Sequence, residues 1–120
     1  MIWPGWEHQL LSAMGRASTK PRVEFLRAWA DCEGGSARFN PLNTTLRVPG
    51  SSSYNSAGVQ HYEDRLQGLA ATLLTIRLSH YAGVRDALGR RGIGSRRILQ
   101  LSESGIRTWG TNPACIERAL

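Results

Sequence analysis

Apolar residues along this chain recur mostly three or four positions apart, the spacing that gathers side chains on one face of a helix. Glycine, proline, serine and acidic residues mark the boundaries of these stretches. Helices are predicted over residues 5–14, 21–33, 63–79, 81–88 and 95–103, with a last helical turn after Asn112-Pro113. The 63–79 helix is the clearest, and its predicted apolar stripe consists of Leu66, Leu69, Ala70, Leu73, Ile76 and Leu78.

Residues 40–60 break this helical pattern. Residues 40–48 end in alternating apolar and polar positions, 49–53 are turn formers, and 54–62 return as an irregular strand. We therefore predict a short β-hairpin between helices, in a predominantly α-helical α+β fold that forms a single domain over residues 1–120. A non-helical segment of this length inside a compact domain is usually functional.

The positive net charge of the chain narrows the classes of molecule that it is expected to bind. The 15 Lys and Arg residues outnumber the 9 Asp and Glu residues, and the net charge of +6 attracts polyanions. Five arginines lie close together in one run with no aromatic residue among them: Arg85, Arg90, Arg91, Arg96 and Arg97. Since single-strand nucleic-acid binders usually interleave aromatics with their charges, the run fits anionic cell-wall polymers better than nucleic acid. No stretch is predicted to cross a membrane, and the N-terminus lacks the features of a secretory signal.

The cysteine and histidine residues suggest no metal chemistry. Cys32 and Cys115 allow one disulfide at most, and Cys32 shares a helical spacing with Phe25 and Trp29, which predicts a buried thiol. The histidines at 8, 61 and 80 are scattered, so neither a zinc site nor another cofactor is predicted.

Glu33 is the strongest candidate for chemistry. It ends the 21–33 helix directly before Gly34-Gly35, on the helix face that carries core residues. The negative end of the helix dipole favours its protonated form, which suits a general acid for glycosidic cleavage. A solvated glutamate at a helix end is the alternative. No acidic residue lies between Glu33 and Glu63, and Glu63 and Asp64 are explained as charges at a helix start. A single catalytic carboxylate is therefore predicted.

Several motifs, in this order, resemble the lysozyme-like domains of bacteriophages and related actinobacterial elements, which occur in endolysins and tail proteins. They are Trp29 with Glu33-Gly34-Gly35, then Asn40-Pro41-Leu42-Asn43-Thr44-Thr45, then the segment from Tyr54 to Tyr62, then Gly68-Leu69-Ala70-Ala71-Thr72 followed by Tyr81, and finally Trp109-Gly110-Thr111. The segment from Ser56 to Gln60 is also similar to the Gly-x-Met-Gln-type segment of soluble lytic transglycosylases. The resemblance implies a lysozyme-like fold whose hairpin lines a glycan cleft. The predicted substrate-binding residues are Asn43, Thr44, Thr45, Tyr54, Asn55, Ser56, Gln60 and Tyr81.

The resulting prediction is cleavage of the β-1,4 bond between N-acetylmuramic acid and N-acetylglucosamine in peptidoglycan, with Glu33 as general acid and base. With one carboxylate, a lytic-transglycosylase outcome is preferred over lysozyme-type hydrolysis, in which Thr44 or Thr45 would hold the attacking water. The resemblance implies action at the bacterial cell wall, reached through a holin-type lesion or as part of a virion. The alternative is a non-catalytic basic module that binds cell-wall glycan or nucleic acid.

Overall fold

The chain is mainly helical in a computed structural model that describes residues 2–120. Its α-helices are α1 Trp6–Ala13, α2 Lys20–Glu33, α3 Arg65–Ile76, α4 Ala82–Gly89, α5 Ser95–Trp109 and α6 Pro113–Ala119, with a 3-10 turn at Ser79–Tyr81. The strands β1 Ser52–Ser53 and β2 Gln60–His61 form a two-stranded antiparallel sheet. The prediction of a predominantly α-helical α+β fold is confirmed. None of the helices in residues 2–120 has the length and apolar character needed to cross a membrane.

Helix α2 lies at the centre of the hydrophobic core. Phe25 and Trp29 on one side of the helix and Leu26 on another are all fully buried. The helix packs against α1, α5 and α6. A helix that is apolar on several sides is stable only when neighbours surround it, which accounts for this central position.

A disulfide joins Cys32, near the end of α2, to Cys115 on α6. The predicted buried thiol at Cys32 is therefore wrong. Helical spacing correctly placed Cys32 beside apolar residues, but spacing within one helix carries no information about a partner 83 residues away. The packing of α6 against α2 brings the two Cα atoms to 6.0 Å, a usual separation for a disulfide.

The hairpin is shorter than predicted, and its first strand lies elsewhere. Strand β1 falls within the predicted turn, with Ser52 opposite His61 and Ser53 opposite Gln60. Residues 40–48 contain no strand. Backbone groups of this segment hydrogen-bond to the side chain of Asn40 and do not form the regular hydrogen bonds of a sheet. The buried Asn40 amide nitrogen donates to the carbonyl oxygens of Thr44 and Gln60, and its oxygen accepts from the Thr44 amide.

The buried face of α3 agrees with the predicted stripe only in part: Ile76 is buried in the core, and Leu69 and Leu73 pack against it. Leu66 and Leu78 are 76% and 48% exposed, and Ala70 is exposed as well. The buried residues are Gly68, Ala71, Thr72 and Ile76. Small residues face inward because the backbone of Phe39 lies directly against the helix: a Cβ at Gly68 would be 1.9 Å from the Phe39 carbonyl oxygen. Helix α5 extends to Trp109, beyond its predicted end at Glu103.

Candidate active site

Glu33 is the last residue of α2 and is half-buried. The helix ends because Gly34 takes the left-handed conformation, with φ of 84°, which glycine adopts without a steric penalty. The disulfide at the preceding residue, Cys32, attaches this helix end to α6. The carboxyl group is thus carried by a covalently anchored part of the core.

Two side chains from distant parts of the sequence hold the Glu33 carboxyl group. The Thr111 hydroxyl bonds to Oε1, and Asn43 Nδ2 lies 3.1 Å from Oε2 and 2.7 Å from the Glu33 carbonyl oxygen. The buried Trp29 Nε1 donates to Thr111 Oγ1 at 3.0 Å. Since the Thr111 oxygen already accepts that bond, its own proton is available to Glu33. The carboxyl group is therefore oriented from two sides.

Asn43 connects Glu33 to the hairpin. Its φ of 56° is in the left-handed region, which asparagine tolerates better than most residues. The next residue, Thr44, accepts hydrogen bonds at its carbonyl oxygen from Asn40 Nδ2 and from the Gln60 amide. Asn43 Oδ1 is buried and has no hydrogen-bond partner among residues 2–120. Asn43 and Thr44 therefore link the hairpin to Glu33, so a displacement of the hairpin would also move a hydrogen-bond partner of Glu33.

A cluster of aromatic rings lies beneath this site. The Trp109 ring is 5.0 Å from that of Trp29 and 4.9 Å from that of Tyr81, and its Nε1 donates to the Leu42 carbonyl oxygen at 2.7 Å. Trp29 is buried in the core, and Trp109 packs against it. Tyr81 is buried, and the resulting desolvation raises the pKa of its hydroxyl. Tyr81 is connected to Glu33 through a series of contacts in which Trp109, Trp29 and Thr111 follow one another.

Two predicted substrate-binding residues are engaged inside the protein. Thr44 is buried, and its hydroxyl bonds to that of Thr75 on α3. Gln60 is also buried: its Oε1 accepts from Ser51 Oγ at 2.9 Å and its Nε2 donates to the Gly58 carbonyl oxygen at 2.9 Å. Through these hydrogen bonds, both side chains stabilise this conformation of the hairpin.

The other four predicted substrate-binding residues are exposed on or beside the hairpin: Thr45, Tyr54, Asn55 and Ser56. The Tyr54 ring lies edge-on to His61, with centroids 5.1 Å apart. Asn55 Oδ1 accepts from the amides of Ala57 and Val59 and so shapes the loop. Of the eight predicted residues, Asn43 is the one that hydrogen-bonds to Glu33 within the described chain.

The acidic residues Asp31, Glu63 and Asp64 lie at positions that their local structure explains. Asp64 Oδ1 accepts from the Gln67 amide at 2.8 Å and caps α3, as its place at a helix start predicted. The Glu63 carboxylate lies against Gly50, where an added Cβ would be 2.3 Å from Oε1. Asp31 is exposed on another side of α2. Within residues 2–120, no second acidic side chain bonds to Glu33.

The cavities on the surface are small, and Glu33 lines none of the five that are described here, which measure about 270 to 590 Å³. Gln60 lines one of about 390 Å³ together with Arg47 and the serines of β1. The arginine-lined cavity of about 590 Å³ is the largest of the five. The residues around Glu33 thus form a polar surface cluster with no deep pocket among these cavities.

Sequence reasoning missed Thr111 and Trp29 as partners of the glutamate. Trp29 lies one helical turn before Glu33, which was a usable signal, and Trp109-Gly110-Thr111 stood out as a motif without a role. Residues 2–120 contain no group of three or more His, Cys, Asp or Glu side chains arranged to hold a metal ion. No family model, curated protein or solved structure matches this chain significantly.

Proposed function

We propose that this protein cleaves the glycan strand of peptidoglycan between N-acetylmuramic acid and N-acetylglucosamine, with Glu33 as the general acid and base. The observation that supports this most directly is the fixed orientation of the Glu33 carboxyl group between Thr111 and Asn43. A general acid must present its proton within hydrogen-bond reach of the leaving oxygen, so a carboxyl group held from two sides suits the task. No cofactor is needed.

The chemistry begins with a proton from Glu33 to the glycosidic oxygen as the bond from that oxygen to C1 of N-acetylmuramic acid breaks. Positive charge then develops on the sugar ring. The muramic 6-hydroxyl attacks C1, and its proton passes to the Glu33 carboxylate, which restores the acid and leaves a 1,6-anhydro end. This lytic-transglycosylase course needs one carboxylate, in keeping with the absence of a second acidic partner of Glu33 in the described chain.

Hydrolysis is the competing outcome of the same first step. Water attacks C1 instead of the 6-hydroxyl and gives a reducing end. Of the two threonines predicted to hold that water, Thr45 is the better placed, because Thr45 is exposed whereas the Thr44 hydroxyl is bonded to Thr75. The sugar's own acetamido group is a further means of stabilising the charge at C1.

The disulfide supports a site of action outside the cytoplasm. Disulfides persist in oxidising compartments and are rare where thiols are kept reduced. A protein that reaches the cell wall through a holin-type lesion, or as part of a virion, would form the Cys32–Cys115 bond there.

The test compares wall digestion by the wild-type protein, Glu33→Gln and the control Asp31→Asn, with mass spectrometry of the soluble muropeptides. Asp31 is on the same helix and loses the same charge, but it is exposed and away from the Thr111 contact. We expect Glu33→Gln to abolish release and Asp31→Asn to retain it. A 1,6-anhydro end marks a transglycosylase and a reducing end a lysozyme.

Thr111 provides a finer test of positioning. Thr111→Ser keeps the hydroxyl that links Trp29 to Glu33, whereas Thr111→Val removes it. We expect the serine variant to retain the rate and its pH dependence. The valine variant should lose at least about tenfold in rate, the scale of one lost hydrogen bond to a charged group. Equal rates for both variants would contradict a positioning role.

A non-catalytic basic module that binds cell-wall glycan or nucleic acid is the second candidate, favoured by the net charge of +6. If the wild-type protein releases no glycan from walls of several peptidoglycan types, the catalytic proposal fails.

A further inference from the structure

The largest of the five described cavities lies between the segment that precedes α2 and the α4–α5 connection. Its volume is about 590 Å³. It is lined by Ala17, Thr19, Pro21, Arg22, Arg90, Arg91 and residues 92–94. Three arginines and no acidic residue are among these, and Glu33 is not part of it.

Arg22 is the buried element of this cavity. It is 6% exposed, and its guanidinium joins the two walls: Nη1 donates to the Ala17 carbonyl oxygen at 2.9 Å and Nη2 to that of Arg90 at 3.1 Å. No carboxylate lies within 4.0 Å of it in residues 2–120. Buried charges in proteins are normally paired, so a buried guanidinium without a counter-charge indicates a place for an anion.

Further positive charge surrounds this position. Arg90 and Arg91 line the cavity with exposed side chains that have no acidic partner among the described residues. The Arg16 guanidinium packs against Gly89, where an added Cβ would be 2.7 Å from its Cζ, and its buried Nε has no hydrogen-bond partner within residues 2–120. The cavity therefore combines one buried and two exposed cations, and the partly buried Arg16 lies against Gly89, the residue before Arg90.

The start of α5 adjoins the cavity and adds to the positive electrostatic potential there. The helix follows Gly94, which has no side chain to cap the first amide groups. Its first turn contains Arg96 and Arg97 and no acidic residue, so the positive end of the helix dipole is not neutralised locally. The uncapped first amide groups of α5 suit a phosphate oxygen, whereas Arg96 lines a different cavity and the Arg97 guanidinium bonds to Gln100.

We propose that this cavity binds the phosphate groups of a phosphodiester chain, and specifically of a polyol-phosphate polymer of the cell wall. The paired N–H groups of an arginine guanidinium, its fork, match the geometry of a phosphate group. The apolar side chains of Ala17, Pro21 and Ile93 offer contact to the carbon backbone of the polyol. No aromatic residue lines the cavity, so bases would have nothing to stack on, which disfavours nucleic acid. This binding is independent of the glycan chemistry at Glu33.

The test is calorimetric titration of the full chain with poly(glycerol phosphate) and, separately, with a single-stranded oligonucleotide of equal charge. Arg91→Gln is compared with Arg118→Gln, which removes the same charge from an exposed position on α6. We expect Arg91→Gln to weaken poly(glycerol phosphate) binding by about tenfold, as for one lost charge-assisted contact, and Arg118→Gln by less than about twofold. Glu33→Gln should bind like the wild type.

A spectroscopic arm locates the site. Inorganic phosphate should shift the backbone amide resonances of Gly92, Ile93 and Gly94, and Arg90→Lys, which keeps the charge of an exposed side chain but loses its fork, should reduce those shifts while the helical circular dichroism stays unchanged. Equal weakening by Arg91→Gln and Arg118→Gln would show that only net charge matters and would overturn the proposal. Tighter binding of the oligonucleotide, or phosphate shifts located elsewhere, would overturn it too.

Discussion

Breaking the Cys32–Cys115 disulfide should destabilise the fold by several kcal/mol. The bond closes a loop whose ends are 83 residues apart. A cross-link over that length lowers the entropy of the unfolded chain, and the loop-entropy model gives about 4.6 kcal/mol at 25 °C. The total stability of a small domain is about 5–15 kcal/mol, so the reduced protein should be marginally stable.

The same bond holds the candidate site together. Cys32 directly precedes Glu33, and Cys115 follows Thr111 by four residues, so the disulfide links the two chain segments that form the Glu33–Thr111 hydrogen bond. We therefore expect reduction to lower the rate of any Glu33-dependent reaction before the chain unfolds.

The assay is urea unfolding followed by circular dichroism, with and without a reductant. For an m value of about 1–3 kcal/mol/M, the midpoint should fall by about 1.5–4.5 M on reduction. The double variant Cys32→Ala with Cys115→Ala should match the reduced wild type and should not respond to reductant. A loss of less than about 1 kcal/mol of unfolding free energy in both the reduced wild type and the double variant would refute the reasoning. The unfolded chain would then be equally restricted with and without the disulfide.

Three other substitutions test the packing of the fold. Burial raises the pKa of Tyr62 to about 12, against a smaller opposing effect of the Thr44 hydroxyl, so the stability that Tyr62 contributes is present below pH 10 and is lost as the pH rises towards 12. Tyr62→Phe should abolish this alkaline loss in unfolding measurements between pH 9 and 12, and an unchanged pH dependence would contradict the assignment. Gly68→Ala should cost about 1–3 kcal/mol or more by overlap with the Phe39 carbonyl oxygen, whereas Gly83→Ala, which meets only an ordinary contact at 3.7 Å in α4, should stabilise by about 0.5–1 kcal/mol. Similar thermal unfolding midpoints for these two alanine variants would contradict the close approach at Gly68.

The helices were predictable because their signals are local. Apolar spacing and boundary residues placed α1, α2 and α4 to within about two residues, and Asn112 and Asp64 cap helices where their side chains can accept the first free amides. The end of α5 was underestimated, since Ser102, Gly105 and Ile106 are buried by neighbouring helices that the local sequence does not reveal.

The buried face of α3 was mispredicted in part, for a related reason, although Leu69, Leu73 and Ile76 lie in or against the core as expected. That helix contains four leucines, and periodicity assigns the larger apolar side chains to the core. The backbone at Phe39 occupies the space beside Gly68, so the small residues face inward and Leu66 faces solvent. Close approach between a loop and a helix is a property of the assembled structure.

The sequence by itself determined that the chain is helical, basic and interrupted by a polar hairpin region, and that Glu33 ends a core helix before two glycines. These features depend on residues within one or two helical turns of each other. Only the tertiary structure decided that Cys32 bonds to Cys115, that Thr111 and Asn43 hold Glu33, and that Arg22 lines a cavity with Arg90 and Arg91. Those contacts join residues 10 to 83 positions apart, and they form because burying α2 among its neighbours fixes where the distant segments meet.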